Sequence, residues 1–162
     1  MPDLGATARF DVEEAPDELA PVQELLNTAS VGRFPDLLES WSGLDQETEL
    51  VELRAFRDDL RRLTRSSGGL ASWSGVASLS LGTDGMVERK PGGAGAAYVI
   101  SKVLSLVFEA QRGDTWRRLK TCRNERCQVA FYDRSRNNSG AWHNVKTCGN
   151  QANLRAHRER NR

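Results

Sequence analysis

All three cysteines of the chain and one of its two histidines fall in "TCRNERCQVAFYDRSRNNSGAWHNVKTCGN", Thr121 to Asn150. Cys122-x4-Cys127 and His143-x4-Cys148 form two hooks of equal length, separated by 15 residues. Three cysteines cannot all pair with one another, and disulfides are rare in the cytosol, so a disulfide framework accounts poorly for the cluster. Thiolate and imidazole are borderline-soft donors that suit Zn2+, and two such hooks can surround one ion with ligands S, S, N, S. Four protein ligands complete a tetrahedron and leave no position open for water, which is structural rather than catalytic zinc. Two alternatives stand beside this reading. The cysteines could be buried apolar residues with His143 on the surface, or His157 could be the fourth ligand. His157 lies nine residues beyond Cys148, outside the hook symmetry, where a solvent-facing or phosphate-facing place on a helix also suits it.

The metal would be what folds this segment. Only Val129, Phe131, Tyr132, Trp142, Val145 and Leu154 could build its core, whereas a structural zinc contributes on the order of 10 kcal/mol or more of folding free energy. Charge sets the segment apart as well. From Trp116 to Arg162 there are twelve Lys and Arg against three acidic residues, a net charge of +9; the eleven basic and nineteen acidic residues elsewhere carry −8. Such asymmetry suggests that the basic part meets a polyanion, the alternative being that the two halves face each other. Asn150 is a candidate N-cap for a last helix, "QANLRAHRER", on which Gln151, Arg155, Arg158 and Arg162 share one face while Ala152 and Ala156 pack inward. That face is a candidate phosphate grip, extended by Arg134 and Arg136, and DNA is the partner it suggests. A solvated tail, with basic residues favoured at a helix C-terminus, is the other account.

The elements that must hold this module lie upstream. Asp17 can cap a helix through "ELAPVQELLNTAS", and "PDLLESW" reads as a short helix with Pro35 at its start. From Asp45, Leu50, Leu53, Phe56, Leu60 and Leu63 recur at helical spacing, up to Ser66-Ser67-Gly68-Gly69. The pattern then alternates through "VASLSLGTDGMVERKP", a hairpin turning at Thr83-Asp84-Gly85. Gly92, Gly93 and Gly95 lead into a helix over 96–112 with Val99, Ile100, Val103, Leu104, Val107 and Phe108 toward the core; Tyr98 stands where a GxGxxG motif needs its third glycine, so no dinucleotide site is expected. The expected fold is α+β: a tail over 1–8, a helix-rich domain with a β-hairpin over 9–115, and a small zinc-stabilised module over 116–162.

The acidic N-terminus lacks a basic n-region and an apolar h-region, and Lys102 interrupts the longest apolar stretch. A cytoplasmic protein without a membrane partner is the expectation. With two histidines, no Ser-His-Asp or paired-carboxylate spacing and no H-x-E with P-C-x-x-C, an enzyme is not expected.

The residues from Thr121 to Arg160 resemble the CGNR zinc finger, a bacterial module that pairs a Cys-x4-Cys hook with F-x-D-x-S-R and a tryptophan-cysteine before Cys-Gly-Asn-Arg. Phe131, Asp133, Ser135, Arg136, Trp142, Cys148, Gly149 and Asn150 match that pattern. His143 stands where the family usually has cysteine, which keeps coordination and leaves the site one negative charge smaller; Gln151 replaces the arginine of CGNR, and Gly140-Ala141 stands where arginines commonly precede the tryptophan. Upstream, "VQELLNTASVG", Trp41 and "LRAFRDDLRRL" resemble the ABATE domain, which precedes this finger in stress-induced transcription regulators. The two resemblances imply a regulator with an acidic sensing or dimerising domain and a DNA-binding finger, with a homodimer and a small-molecule effector as further expectations. The matched positions Asn27, Thr28, Trp41 and Arg54 are candidates to line the effector pocket, with packing and capping as their alternative role. A finger that docks a protein without specific DNA binding is the alternative function.

Overall fold

Apolar spacing makes the two longest helices, and charge at both ends supports one of them. In the computed structural model, which describes residues 5–16, 18–65 and 71–161 (for Ala152, Ala156 and Glu159 the backbone alone), the first of these is α3, Glu47–Thr64. Glu47 and Glu49 occupy its first turn and Arg61 and Arg62 its last, matching the helix dipole at both ends. It buries Leu50, Leu53, Phe56 and Leu60 against α1, Leu19–Asn27, and α4, Gly95–Arg112. α1 contributes Leu19, Val22, Leu25 and Leu26, and α4 contributes Ala96, Ile100, Val103, Val107 and Ala110. Each fully buried Leu, Ile, Val or Phe contributes about 1.5–3 kcal/mol, so this cluster is the main store of stability in the N-terminal part. The short α2, Leu38–Ser42, adds Leu38 and Trp41. It starts three residues later than the proline suggested, because Asp36 Oδ1 accepts the N–H of Leu38 at 2.9 Å. The apolar arcs are narrower than the spacing predicted: Leu63 and Phe108 are exposed, and Phe108 instead carries the guanidinium of Arg89 over its ring at 4.7 Å. The cap expected at Asp17 and the stop expected at Ser66–Gly69 lie outside the described residues.

The predicted hairpin forms. β1, Ala77–Leu81, pairs antiparallel with β2, Val87–Pro91, in the register Leu79↔Arg89 and Leu81↔Val87. Gly85 takes φ +79°, a left-handed value that favours glycine, and Asp84 Oδ1 accepts the N–H of Met86 at 3.0 Å. β1 is exposed along its whole length; the hairpin is tied to α4 by Arg89, which donates to Ser105 O at 2.6 Å and Glu109 Oε1 at 2.8 Å.

The N-terminal segment expected to be a tail is fixed from Gly5 onward. The N–H groups of Ala6 and Thr7 each donate to the Glu24 carboxylate at 2.9 Å, and both residues are fully buried. This capture is made by polar groups, so no apolar periodicity announces it.

The C-terminal sheet consists of β3, Leu119–Thr121, and β4, Ala130–Tyr132, paired antiparallel. Leu119 and Ala130 enter the same apolar core as α1, α3 and α4, so packing is continuous across the 115/116 boundary. Asn27 sits at that seam like an extra strand residue: its Oδ1 accepts the N–H of Ala130 at 2.8 Å and its Nδ2 donates to Ala130 O at 3.0 Å and Thr7 Oγ1 at 3.2 Å. Thr28 Oγ1 donates to Leu25 O at 2.7 Å and accepts from Arg57 at 3.2 Å. Trp41 lines an apolar groove of about 290 Å³ with Pro21, Leu44 and Tyr98, and Arg54 is half-buried on α3. That groove takes in none of the other three. Asn27 and Thr28 are committed to packing and to hydrogen bonds. Among the described residues no helix is long and apolar enough to cross a membrane.

Candidate metal centre

The first hook is the turn of the second hairpin. Cys122 follows β3, and its N–H donates to Val129 O at 2.8 Å, closing the loop before β4 begins. Within the loop the buried Asn124 organises the chain: its carbonyl accepts the N–H of Cys127 at 2.8 Å and of Gln128 at 3.1 Å, and its Oδ1 accepts from Arg126 at 3.2 Å. Gln128, at φ +55°, makes the left-handed turn that returns the chain to the sheet. The second hook is built differently. Asn144 caps a π-helical turn, Val145–Gly149, by accepting the N–H of Thr147 at 3.1 Å, and the widened turn carries Cys148 inward. The last helix, α5, runs Asn150–Arg160 directly from this turn, so Asn150 is inside helical backbone and Asn144, six residues earlier, does the capping.

Cys122, Cys127, His143 and Cys148 meet, with one ligand atom from each and all four atoms within 4.8 Å of one another. Cys127 Sγ lies 3.2 Å and Cys148 Sγ 3.6 Å from His143 Nδ1. A tetrahedron with Zn–S of about 2.3 Å and Zn–N of about 2.0–2.1 Å places sulfurs roughly 3.8 Å from each other and roughly 3.6 Å from the nitrogen. The donor set therefore fits one zinc ion with no position left for water. Phe131 and Trp142 pack on the cluster and shield it. The Cys127 thiol, hydrogen-bonding to Cys122 Sγ, lowers the Cys122 pKa to about 4 against burial, and the same shared hydrogen bond, followed by burial, pushes Cys127 upward. Zinc binds sulfur as thiolate, so metal binding releases any proton these sulfurs carry. His157 has its Nε2 3.0 Å from Asn161 Nδ2 on exposed α5 and is outside the cluster.

The loop between the hooks is fastened by Asp133. Burial alone would raise its pKa, but Lys120 Nζ at 2.7 Å and the N–H groups of Ser135 and Gly140 at 2.9 and 2.7 Å outweigh it, and the carboxyl is held well below its usual range. A Cβ on Gly140 would lie 2.7–2.9 Å from this carboxylate. In this chain an arginine there would have to displace that carboxylate from the hydrogen bonds that hold it. Gln151 also has a task, since its Oε1 accepts from Asn124 Nδ2 at 3.2 Å and joins α5 to the first hook.

The structure separates the predicted arginines. Arg136 and Arg158 are exposed, Arg155 is half-buried, and Arg162 lies outside the described residues, as do the inward-packing side chains expected of Ala152 and Ala156. Arg134 is engaged: its Nε pairs with Glu13 Oε2 at 3.0 Å and it donates to Glu14 O at 2.8 Å. Val145 and Leu154, expected in the core of the module, are exposed. Sequence reasoning, which followed the leucines of α3, missed Arg61. This buried residue donates to Leu26 O at 2.6 Å and to Gln128 O at 2.9 Å, tying α1 and α3 to the residue after Cys127. Burial lowers its pKa to about 10. The four-residue step from Arg57 to Arg61 on the side of α3 that faces the finger was the available signal.

No curated protein matches the chain. A family model described as the CGNR zinc finger matches residues 118–161, a span that contains all four ligands. Residues 118–161 therefore match the CGNR zinc finger, and the three cysteines and one histidine within them fit one structural zinc ion.

Proposed function

We propose that the protein is a DNA-binding transcription regulator that grips phosphates with the surface of its zinc-folded module. One observation carries this reading: Arg123, Arg126, Arg136, Lys146, Arg158 and Arg160 are exposed around the zinc core, and none has an ion-pair partner among the described residues. Of the acids described in this module, Asp133 is buried and neutralised by Lys120, which leaves the exposed Glu125 beside these six cations. Unpaired surface arginines on a rigid, metal-held scaffold favour phosphate binding through counterion release. Arg155 and Arg162 extend the surface along α5, and Arg134 joins it by exchanging Glu13 for phosphate. A cytoplasmic, non-enzymatic role in stress response, with a sensing or dimerising N-terminal part, extends the proposal on the upstream resemblance alone.

The test is selection of bound sequences from random duplex DNA, followed by titration at several salt concentrations. Each neutralised phosphate contributes about 0.9 to the slope of log affinity against log salt, so Arg136→Ala, Arg155→Ala and Arg158→Ala together are expected to flatten it by roughly two to three units. Zinc content and circular dichroism should stay as in the wild type. An unchanged slope with no sequence enriched would contradict DNA binding and favour a second reading, a protein-docking finger. The exposed side chains of Val145 (68%) and Leu154 (57%) supply the apolar contacts such docking needs.

A further inference from the structure

A cleft of about 720 Å³ lies between α3 and the first zinc hook. One side carries Arg57 and Arg61 of α3 and Arg65 just past its end, at steps of four; Thr121 and Gln128 of the finger line the other. The charges in the cleft do not cancel evenly. Arg57 is satisfied by both oxygens of Asp36, at 2.9 and 2.8 Å, and by Asp58 at 3.0 Å. Asp59 is taken by Arg62 and by Trp73 Nε1 at 2.7 Å. Arg61 differs. It is only 9% exposed, its guanidinium donates to two backbone carbonyls, and no described carboxylate lies within ion-pair distance of it. Among the described carboxylates Arg65 meets only that of Glu125, at 4.0 Å, on a side chain that is 82% exposed.

A guanidinium has five N–H donors, and the carbonyls of Leu26 and Gln128 account for two of Arg61's. Cations at a helix C-terminus complement the dipole, and these two bonds join α3 to the finger, yet neither fact supplies a counter-ion for a charge held out of water. With zinc bound, three thiolates and one neutral imidazole leave the metal centre one negative charge, which acts on Arg61 through space but offers it no oxygen.

We propose that this cleft binds a small phosphorylated molecule, its phosphate held by Arg61 and Arg65. Phosphate suits two arginine forks better than a single carboxylate, because it presents more than one pair of acceptor oxygens. The occupant is small because the volume is that of a small-ligand pocket, about 300–1,000 Å³. Trp73 supplies an aromatic wall. Arg61 also holds Gln128 O, one residue beyond Cys127, so phosphate arriving at Arg61 bears directly on the zinc hook. The site is separate from the Trp41 groove and does not depend on DNA binding.

Calorimetric titration of the zinc-loaded full chain with inorganic pyrophosphate tests this. One binding event per chain is expected, weakened about tenfold or more by Arg65→Ala and by Arg61→Lys, which keeps the charge but loses the fork. Arg65→Ala decides the matter if Arg61→Lys loosens the fold, because among the described residues the ion pair Arg65 makes to the finger is the 4.0 Å approach to Glu125. Glu125→Gln, and the triple substitution at Arg136, Arg155 and Arg158, should leave pyrophosphate binding unchanged, and a short DNA duplex should not compete. Absence of binding at millimolar pyrophosphate would overturn the proposal. So would weakening by the finger triple and not by Arg65→Ala, together with competition by duplex, since phosphate would then belong to the nucleic-acid surface.

Discussion

Cys127→Ser is expected to release the zinc and to unfold the segment from Arg118 to Gly149 as a unit. A structural zinc contributes on the order of 10 kcal/mol or more, comparable with the whole stability of a typical domain. Apart from Leu119 and Ala130, which join the helical core, the only apolar side chains the segment buries beside its cysteines are Val129 and Phe131, so nothing local replaces the metal. The helices should survive, because Leu25, Leu53, Phe56 and Ile100 bury one another without the finger. They should nonetheless melt earlier than in the wild type, since the core loses Leu119 and Ala130 and both Gln23 and Asn27 lose their partner at Ala130. Zinc analysis together with hydrogen exchange by mass spectrometry reads this directly: exchange should become fast across residues 118–149 and remain slow in α3 and α4. Unchanged protection of the finger in a zinc-free variant would contradict the account.

Asn27→Ala should destabilise the protein by about 2–4 kcal/mol, a large effect for a residue with no role in metal binding. Asn27 imitates a neighbouring strand, giving Ala130 both a donor and an acceptor in a fully buried seam. Alanine leaves the N–H of Ala130 without a partner and opens a small cavity; Gln23 still donates to Ala130 O at 3.2 Å, which limits the loss. Asn27→Asp should cost more, because its carboxylate would face Ala130 O where an N–H now donates. Urea denaturation of the zinc-loaded protein gives both values. A shift under about 0.5 kcal/mol for alanine, the size of a neutral surface change, would show that the seam is not held by this amide.

Asn27 also shows where the sequence ceased to be informative. Its partner is 103 residues away, and a polar residue buried by a distant peptide looks, in one dimension, like a residue waiting for a ligand. Local signals fared better. The hooks depend on short spacings and on ligand type, both visible in "CRNERC" and "HNVKTC", and the four residues meet as expected. The helices α3 and α4 were legible from leucine and valine periodicity, and the first hairpin from Thr83-Asp84-Gly85. What escaped was held by side-chain to backbone contacts between distant segments: the Glu24 grip on Ala6 and Thr7, the Arg134 pairing with Glu13, and the Arg61 bridge from α3 to Gln128. Phe131 and Asp133 stood out in the motif, but only the geometry separates their tasks. Phe131 covers the sulfurs, while Asp133 staples the loop, its carboxylate close against Gly140.

The central claim is that one zinc ion is held by three sulfurs and one imidazole nitrogen, from Cys122, Cys127, Cys148 and His143. Elemental analysis combined with X-ray absorption at the zinc edge tests it on protein purified without added metal. The account predicts one zinc per chain with three sulfur neighbours at about 2.3 Å and one nitrogen at about 2.0–2.1 Å. It also predicts loss of the nitrogen contribution in His143→Ala, a four-sulfur shell in His143→Cys, and no change in His157→Ala. A folded protein without zinc, or a nitrogen that disappears with His157 and persists without His143, would contradict it.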